Sequence, residues 1–230
     1  MAAQTLRARV RAEMIEEIKS TARRHLAVDG ANLSLRAVAR DLGMVSSAVY
    51  RYFASRDELL TALILDAYNS LADAAEQAEA AVARADLLGR WLAACRGVRD
   101  WGRANPHEYA LIYGSPVAGY AAPQDTVAPA ARVPLLLVAI LRYGHERGKL
   151  KTQRGERIPH AVRATLAALG QEPGMGGLPD AVLARAVTAW VHLFGLLNFE
   201  LFGRLHGVID DVDAYFDYEM GTLARRSGIS

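Results

Sequence analysis

The sequence predicts an all-α protein: an N-terminal three-helix domain built on a helix-turn-helix, with a C-terminal helical bundle behind it. Three observations carry that expectation. Apolar residues recur at three- and four-residue spacing along nearly all of the 230-residue chain, the period of an amphipathic helix. No segment alternates apolar and polar residues over the length of a strand. Glycine and proline gather at Gly43, Asn105-Pro106, 114–123, Gly148 and 170–179, which divides the chain into helix-length pieces.

The first helix follows from Val10, Met14, Ile18, Ala22 and Leu26, which return every fourth residue until Asp29-Gly30 closes the run. Ser34 is an N-cap for a short second helix, whose Leu35, Val38, Ala39 and Leu42 stand at i, i+3, i+4 and i+7. Gly43 ends it, because glycine enters the left-handed conformation without a Cβ clash. Met44 and Val45 make an apolar turn. A third helix starts at about Ser46, with small Ala48 and Val49 turned inward and Ser46, Ser47 and Arg51 left to face a groove. Ser55 and Glu58 form a capping box ahead of Leu59, Leu60, Leu63 and Ile64, so a longer alanine-rich helix runs from there to about Val82. The expected domains are residues 1–57 and 58–230.

A fifth helix is predicted over 86–104, stopped by Asn105-Pro106, and a short helical turn over 107–113. The seventh, over 126–147, contains Pro134, where a kink or late start is expected, and ends at Gly148. Helices over 159–169, 180–204 and 210–226 complete the chain.

Composition excludes several rivals. Hydrophobic residues make up 52% and charged residues 23%, the balance of an ordinary soluble protein that buries a good core. The single Cys95 permits neither an intrachain disulfide nor a zinc thiolate cluster. The N-terminal segment lacks the apolar core of a signal peptide, and the apolar run 133–141 is too short to span a bilayer. A soluble, cytoplasmic protein without membrane partner, cofactor or metal is expected. Net charge is only +2, yet residues 1–60 hold 10 basic against 7 acidic side chains, and the remainder 17 against 18. Arg7, Arg9 and Arg11 precede any acidic residue and read as a basic arm able to meet phosphates.

The segment 34–60 resembles the DNA-binding domain of the tetracycline-repressor (TetR) family of transcriptional regulators. The resemblance rests on the Leu35/Val38/Ala39 helix, Gly43, Tyr50-x-Tyr52-Phe53 and the run Arg56-Asp57-Glu58-Leu59. Where the family carries serine or threonine this chain has Val45, so the cap of the recognition helix is expected from Ser46 or Ser47. The resemblance and position together place Val45, Ser46, Ser47 and Arg51 at or near base edges and Arg36 at a base edge or phosphate. Ser34, Tyr50, Tyr52 and Arg56 fall at phosphates, with Arg7, Arg9 and Arg11 as the arm.

The second half resembles the family's WHG-type C-terminal domain. It does so through Trp101-Gly102, Asn105-Pro106-His107, Tyr113-Gly114-Ser115-Pro116, Gly119 to Pro123, and Trp190 with Gly195, Glu200 and Gly203. Where that pattern has histidine before Gly195 this chain has Phe194, and its own His192 lies two residues earlier, so no role passes to the histidine. The resemblance implies that this domain senses a small molecule and pairs protomers. The ninth helix is apolar around much of its circumference (Val187, Trp190, Val191, Leu193, Phe194, Leu197, Phe199, Leu201), which calls for burial against its own core and a second copy. Candidate ligand-binding residues are Trp91, Cys95, Trp101, Tyr113, Tyr143, Trp190 and Asn198, in a mostly apolar cavity between the fifth, sixth, seventh and ninth helices. Aromatics at helical spacing are more often ordinary core than a binding surface, and His107 beside Glu108 reads as a loop residue.

The expected function is a homodimeric repressor released from double-stranded operator DNA by a small, largely apolar effector. A helical adaptor that keeps the fold without the DNA is the alternative. An enzyme is disfavoured, because no nucleophile elbow, metal cluster or phosphate-cradling glycine loop is present; Gly174, Gly176 and Gly177 form a turn.

Overall fold

A computed structural model describes residues 2–29, 33–151 and 157–229, and among these the regular structure is entirely helical. The order is α1 (Ala2–Asp29), α2 (Leu35–Asp41), α3 (Ser46–Val49), α4 (Arg56–Ala80), α5 (Leu87–Ala104), α6 (Pro106–Tyr113), a 3₁₀ turn (Gln124–Thr126), α7 (Val127–Glu146), α8 (His160–Leu169), α9 (Asp180–Leu201) and α10 (Val212–Arg226). Gly30, expected to close α1, lies outside the described residues. Helix α7 starts at Val127 and runs through Pro134, so the late start expected there does not occur. Helix α9 stops at Leu201, three residues short of the expected end, because Gly203 takes φ +72° and turns the chain. Asp211 then caps α10, its carboxylate accepting from the Ala214 N–H at 2.9 Å.

The chain forms two compact units, Met1–Asn69 with Asn105–Val127 and Ser70–Ala104 with Ala128–Ser230. These differ from a division at 57/58: α4 continues from the first unit into the second, and α6 with the loop behind it joins the first. The reason is packing. The first core gathers Ile18, Ala22, Leu26, Leu35, Val38, Val49, Phe53, Leu59, Leu60 and Leu63, and Leu111, Val117 and Tyr120 from α6 and its loop press against it. Charge adds to the packing. Arg23 of α1 meets Asp66 of α4 at 2.6 Å and Glu108 of α6 at 3.1 Å.

In the second unit α5 is the central element. Trp91, Cys95 and Val98 are buried on it, Leu137 and Leu141 on α7, Leu193 and Leu197 on α9, and Phe216 and Met220 on α10. The Trp91 Nε1–H donates to the Met220 carbonyl at 3.1 Å, which satisfies the one polar atom of a fully buried indole. Gly97 is required by proximity, since a Cβ there would stand 2.8 Å from the Ala74 carbonyl oxygen of α4. Helix α9 buries Leu183, Ala186, Ala189, Leu193 and Leu197, but within this single chain it leaves Trp190, Val191 and Phe199 exposed.

The 124–146 segment and α9 each reach a mean hydropathy of 1.4 over an 18-residue window, long and apolar enough to cross a bilayer. The expectation drawn from the 133–141 run alone is corrected in this respect. Both helices contribute buried side chains to the core of the second unit, and core helices have the same composition.

Candidate nucleic-acid interface

Helices α2 and α3 divide their side chains by face. Leu35, Val38, Ala39 and Val49 are buried, whereas Arg36, Arg40, Val45, Ser47, Tyr50 and Arg51 are exposed. The first turn of α2 is held by Ser34, extended at φ −122°, whose hydroxyl oxygen accepts from the Ala37 N–H at 3.4 Å. Gly43 takes φ +66° with nothing near the position of a Cβ, so its requirement is conformational and not one of space. The Ala48 N–H bonds to the Val45 carbonyl at 2.9 Å to open α3. Val45 occupies the N-cap, and no side chain caps the helix; the expected cap from Ser46 or Ser47 is therefore corrected, with Ser46 already the first helical residue. A valine that is 70% exposed at a cap it cannot serve leaves an apolar tip at the edge of the reading helix.

The arginines nearest this edge are not alike. Arg7, Arg9 and Arg11 stand on α1, so the expected arm is helical. Arg9 pairs with Glu13 at 3.6 Å on the surface. Arg11 stacks over the Tyr52 ring at 5.2 Å and donates through Nη1 to the Arg51 carbonyl at 3.3 Å, which fastens α1 to the end of the reading helix. Arg56, half-buried, donates through Nε to the Leu33 carbonyl at 3.2 Å and stands 3.6 Å from Asp57. It thus holds the chain entering α2. The capping box of α4 forms: the Glu58 N–H bonds Ser55 Oγ at 3.1 Å, and the Glu58 carboxylate reaches back to the Ala54 N–H at 2.5 Å.

Three contacts here have no sequence signature. Lys19, buried, meets Glu16 at 2.6 Å and Asp66 at 2.8 Å. Burial alone would lower its ammonium, but the bonds to Asp66 and Glu16 outweigh that and raise it above the ordinary lysine value. The His25 Nε2–H donates to Asp41 at 2.7 Å, tying α1 to the end of α2, and this bond is the chief reason the Asp41 carboxyl lies below its ordinary value. Arg23 with Glu108 is the third. Lys19–Asp66, His25–Asp41 and Arg23–Glu108 join residues far apart in the chain, which helical periodicity does not report, whereas Lys19–Glu16 is a local pair three residues apart on α1.

The seven candidate ligand residues are not gathered in one place. Tyr113 lies in the first unit, its ring edge-on to Tyr68 at 6.0 Å and tilted against Tyr109 at 5.2 Å. Trp91 and Cys95 are filled core, and burial pushes the Cys95 thiol up to about 12. Trp101 donates to Ser70 Oγ at 2.9 Å. Tyr143 lies beneath three arginines, Trp190 is 38% exposed, and Asn198 carries a buried Oδ1 without a hydrogen-bond partner. A groove of about 320 Å³ does exist in the second unit, lined by His192, Gly195, Leu196, Phe199, Leu205, Val208, Ile209 and Tyr215, none of which is among the seven.

A capped helix, a left-handed glycine and a short second helix with a polar, partly basic outer face define a helical DNA-binding regulator. Residues 18–63 match the family described as bacterial regulatory proteins, tetR family, and residues 91–223 match the tetracyclin repressor-like C-terminal domain. The chain belongs to the TetR family of transcriptional regulators. It is 39% identical over 215 residues to the HTH-type transcriptional regulator Rv1816 of Mycobacterium tuberculosis, covering 92% of this chain and 91% of the relative. The regulator Mb1846 of Mycobacterium bovis matches equally. Among solved structures the regulatory protein SCO4313 is 35% identical with a TM-score of 0.76, covering 94% of this chain and 97% of that one. The TetR family regulator PfmR of Thermus thermophilus, at 18% identity and a TM-score of 0.61 over 90% and 97% of the two chains, shares the fold.

Proposed function

We propose that this DNA-binding regulator acts as a homodimeric repressor, released from a near-palindromic operator by a small, largely apolar ligand. The observation that carries the DNA contact is the outward row Val45, Ser47, Tyr50 and Arg51 on and beside α3, above a buried Val49. Short side chains let the backbone approach base edges, while Tyr50, Tyr52, Ser34 and Arg36 suit phosphate oxygens. Arg56 and Arg11 serve chiefly by holding α2 and α3 in place, given the bonds each already makes.

Pairing of two copies is supported by α9. Val191, Gly195 and Phe199 recur every fourth residue on its exposed side with Trp190 beside them, an apolar stripe that a second α9 would cover. Two protomers then present their α3 helices about 34 to 36 Å apart, one turn of duplex. Ligand release needs a coupling of only about 1 to 3 kcal/mol, roughly 5- to 150-fold in affinity.

Titrating the purified chain onto DNA flanking its own gene, across a salt series, tests this reading. If each protomer neutralises about four phosphates, log affinity falls with log salt at a slope of roughly −7 for the dimer. A folded protein that retards no DNA at low salt is an adaptor and not a regulator.

A further inference from the structure

We propose that Arg84, Arg147 and Tyr143 form a binding site for a phosphate-bearing small ligand on the second unit. Tyr143 stands in the last turns of α7, Arg147 immediately follows that helix, and Arg84 lies in the turn between α4 and α5. Their guanidinium carbons stand 4.5 Å (Arg147) and 5.0 Å (Arg84) from the centroid of the same ring. The two cations are therefore less than about 10 Å apart, and both are exposed. Among the described residues neither has a carboxylate within ion-pair distance.

The residue beneath them is held by its own bonds. A third arginine, Arg90, stands 5.2 Å from the Tyr143 ring, but it is buried, its Nε donates to Glu79 at 2.5 Å, and its Nη1 donates to the Arg84 carbonyl at 3.3 Å. It thus fixes the backbone of Arg84 and carries its own counter-charge. Asp86, the acidic residue in the same turn, is engaged by the Gly89 N–H at 2.8 Å. Gly144 lets the helix ends meet, since a Cβ there would stand 2.9 Å from Leu87 and 2.8 Å from Leu150. Among the described residues Arg84 and Arg147 remain without an ion pair, both close to one ring.

That arrangement has a chemical consequence. A guanidinium held over an aromatic ring loses little freedom when it binds, and two cations less than about 10 Å apart suit an anion that carries several charged oxygens, such as pyrophosphate. Were the cluster only a cover for the tyrosine, apolar side chains would cover it without bringing like charges together.

Calorimetric titration of the full chain with pyrophosphate at fixed sodium chloride decides the matter. Saturable binding is expected, weakened about ten- to a hundredfold by Arg84→Gln and by Arg147→Gln, as for the loss of charge-assisted hydrogen bonds. Arg163→Gln, an exposed arginine of α8, should bind as the parent does. Thermal melting confirms that each variant is folded. Absence of saturable heat in the parent overturns the proposal, as does an equal loss in Arg163→Gln. Arg84→Gln and Arg147→Gln that lower DNA affinity in a chain that ignores pyrophosphate would assign the cluster to nucleic acid and overturn it too.

Discussion

Arg99 of α5 grips Glu200 of α9 through both Nε and Nη2, at 2.8 to 3.0 Å, with Nη2 also reaching Asp213 of α10 at 2.5 Å. One buried guanidinium therefore joins three helices of the second unit, and its central carbon stands 4.7 Å from the centroid of the Phe216 ring. Such a pair is costly to break from one side, because the remaining charge stays buried without its partner. Arg99→Ala and Glu200→Ala should each lower unfolding stability by about 3 to 5 kcal/mol, with the double variant losing well under the sum. Denaturant melts of the four proteins measure this coupling.

The start and end of α2 make a second prediction. Ser34→Ala removes the cap and should cost about 1 kcal/mol, toward the lower end since the bond is 3.4 Å long. Gly43→Ala should cost about 1 kcal/mol as well, because alanine meets a conformational penalty at φ +66° although space is free. Both are read from urea midpoints.

The His25–Asp41 bond gives a pH signature whose sign is fixed. The folded Asp41 carboxyl lies below its ordinary value, chiefly through the bond to His25, so its contribution is complete above about pH 4 and is lost as pH falls through the lower folded value. Asp41→Asn should flatten the acid-side decline of stability. Urea melts between about pH 2.5 and 6 check it.

The arginines separate by salt dependence. Arg36→Ala removes an exposed cation and should reduce the salt slope of DNA binding by about one per site without moving the melting temperature. Arg56→Ala instead releases the Leu33 carbonyl and should lower the melting temperature first. Anisotropy titrations beside thermal melts distinguish the two.

How far the sequence reveals this molecule depends on the range of the interaction. Local signals were sufficient for helices: the Ser34 cap, Gly43, the Ser55/Glu58 box and the stop of α5 at Asn105-Pro106 all stand where the residue chemistry puts them. The outward face of α2 and α3 was legible for the same reason, since a buried Val38 and Val49 fix which residues face away. Long-range pairing was not. Nothing local to α6 announces that Leu111 packs on the first core or that Glu108 meets Arg23, so the unit boundary lies elsewhere than at 57/58. Trp91 and Cys95 illustrate the same limit, because an aromatic or thiol at helical spacing is equally a core residue or a pocket wall until its neighbours are known.

The most direct measurement is DNA affinity of a Ser47→Glu variant whose fold is verified by its melting profile. Ser47 is exposed on α3, so a carboxylate there leaves the core intact and sets a negative charge against the duplex. If α3 reads DNA, the variant melts as the parent does and loses specific binding by a hundredfold or more, on the order of 3 kcal/mol. A variant that binds the parent's operator undiminished would contradict the account.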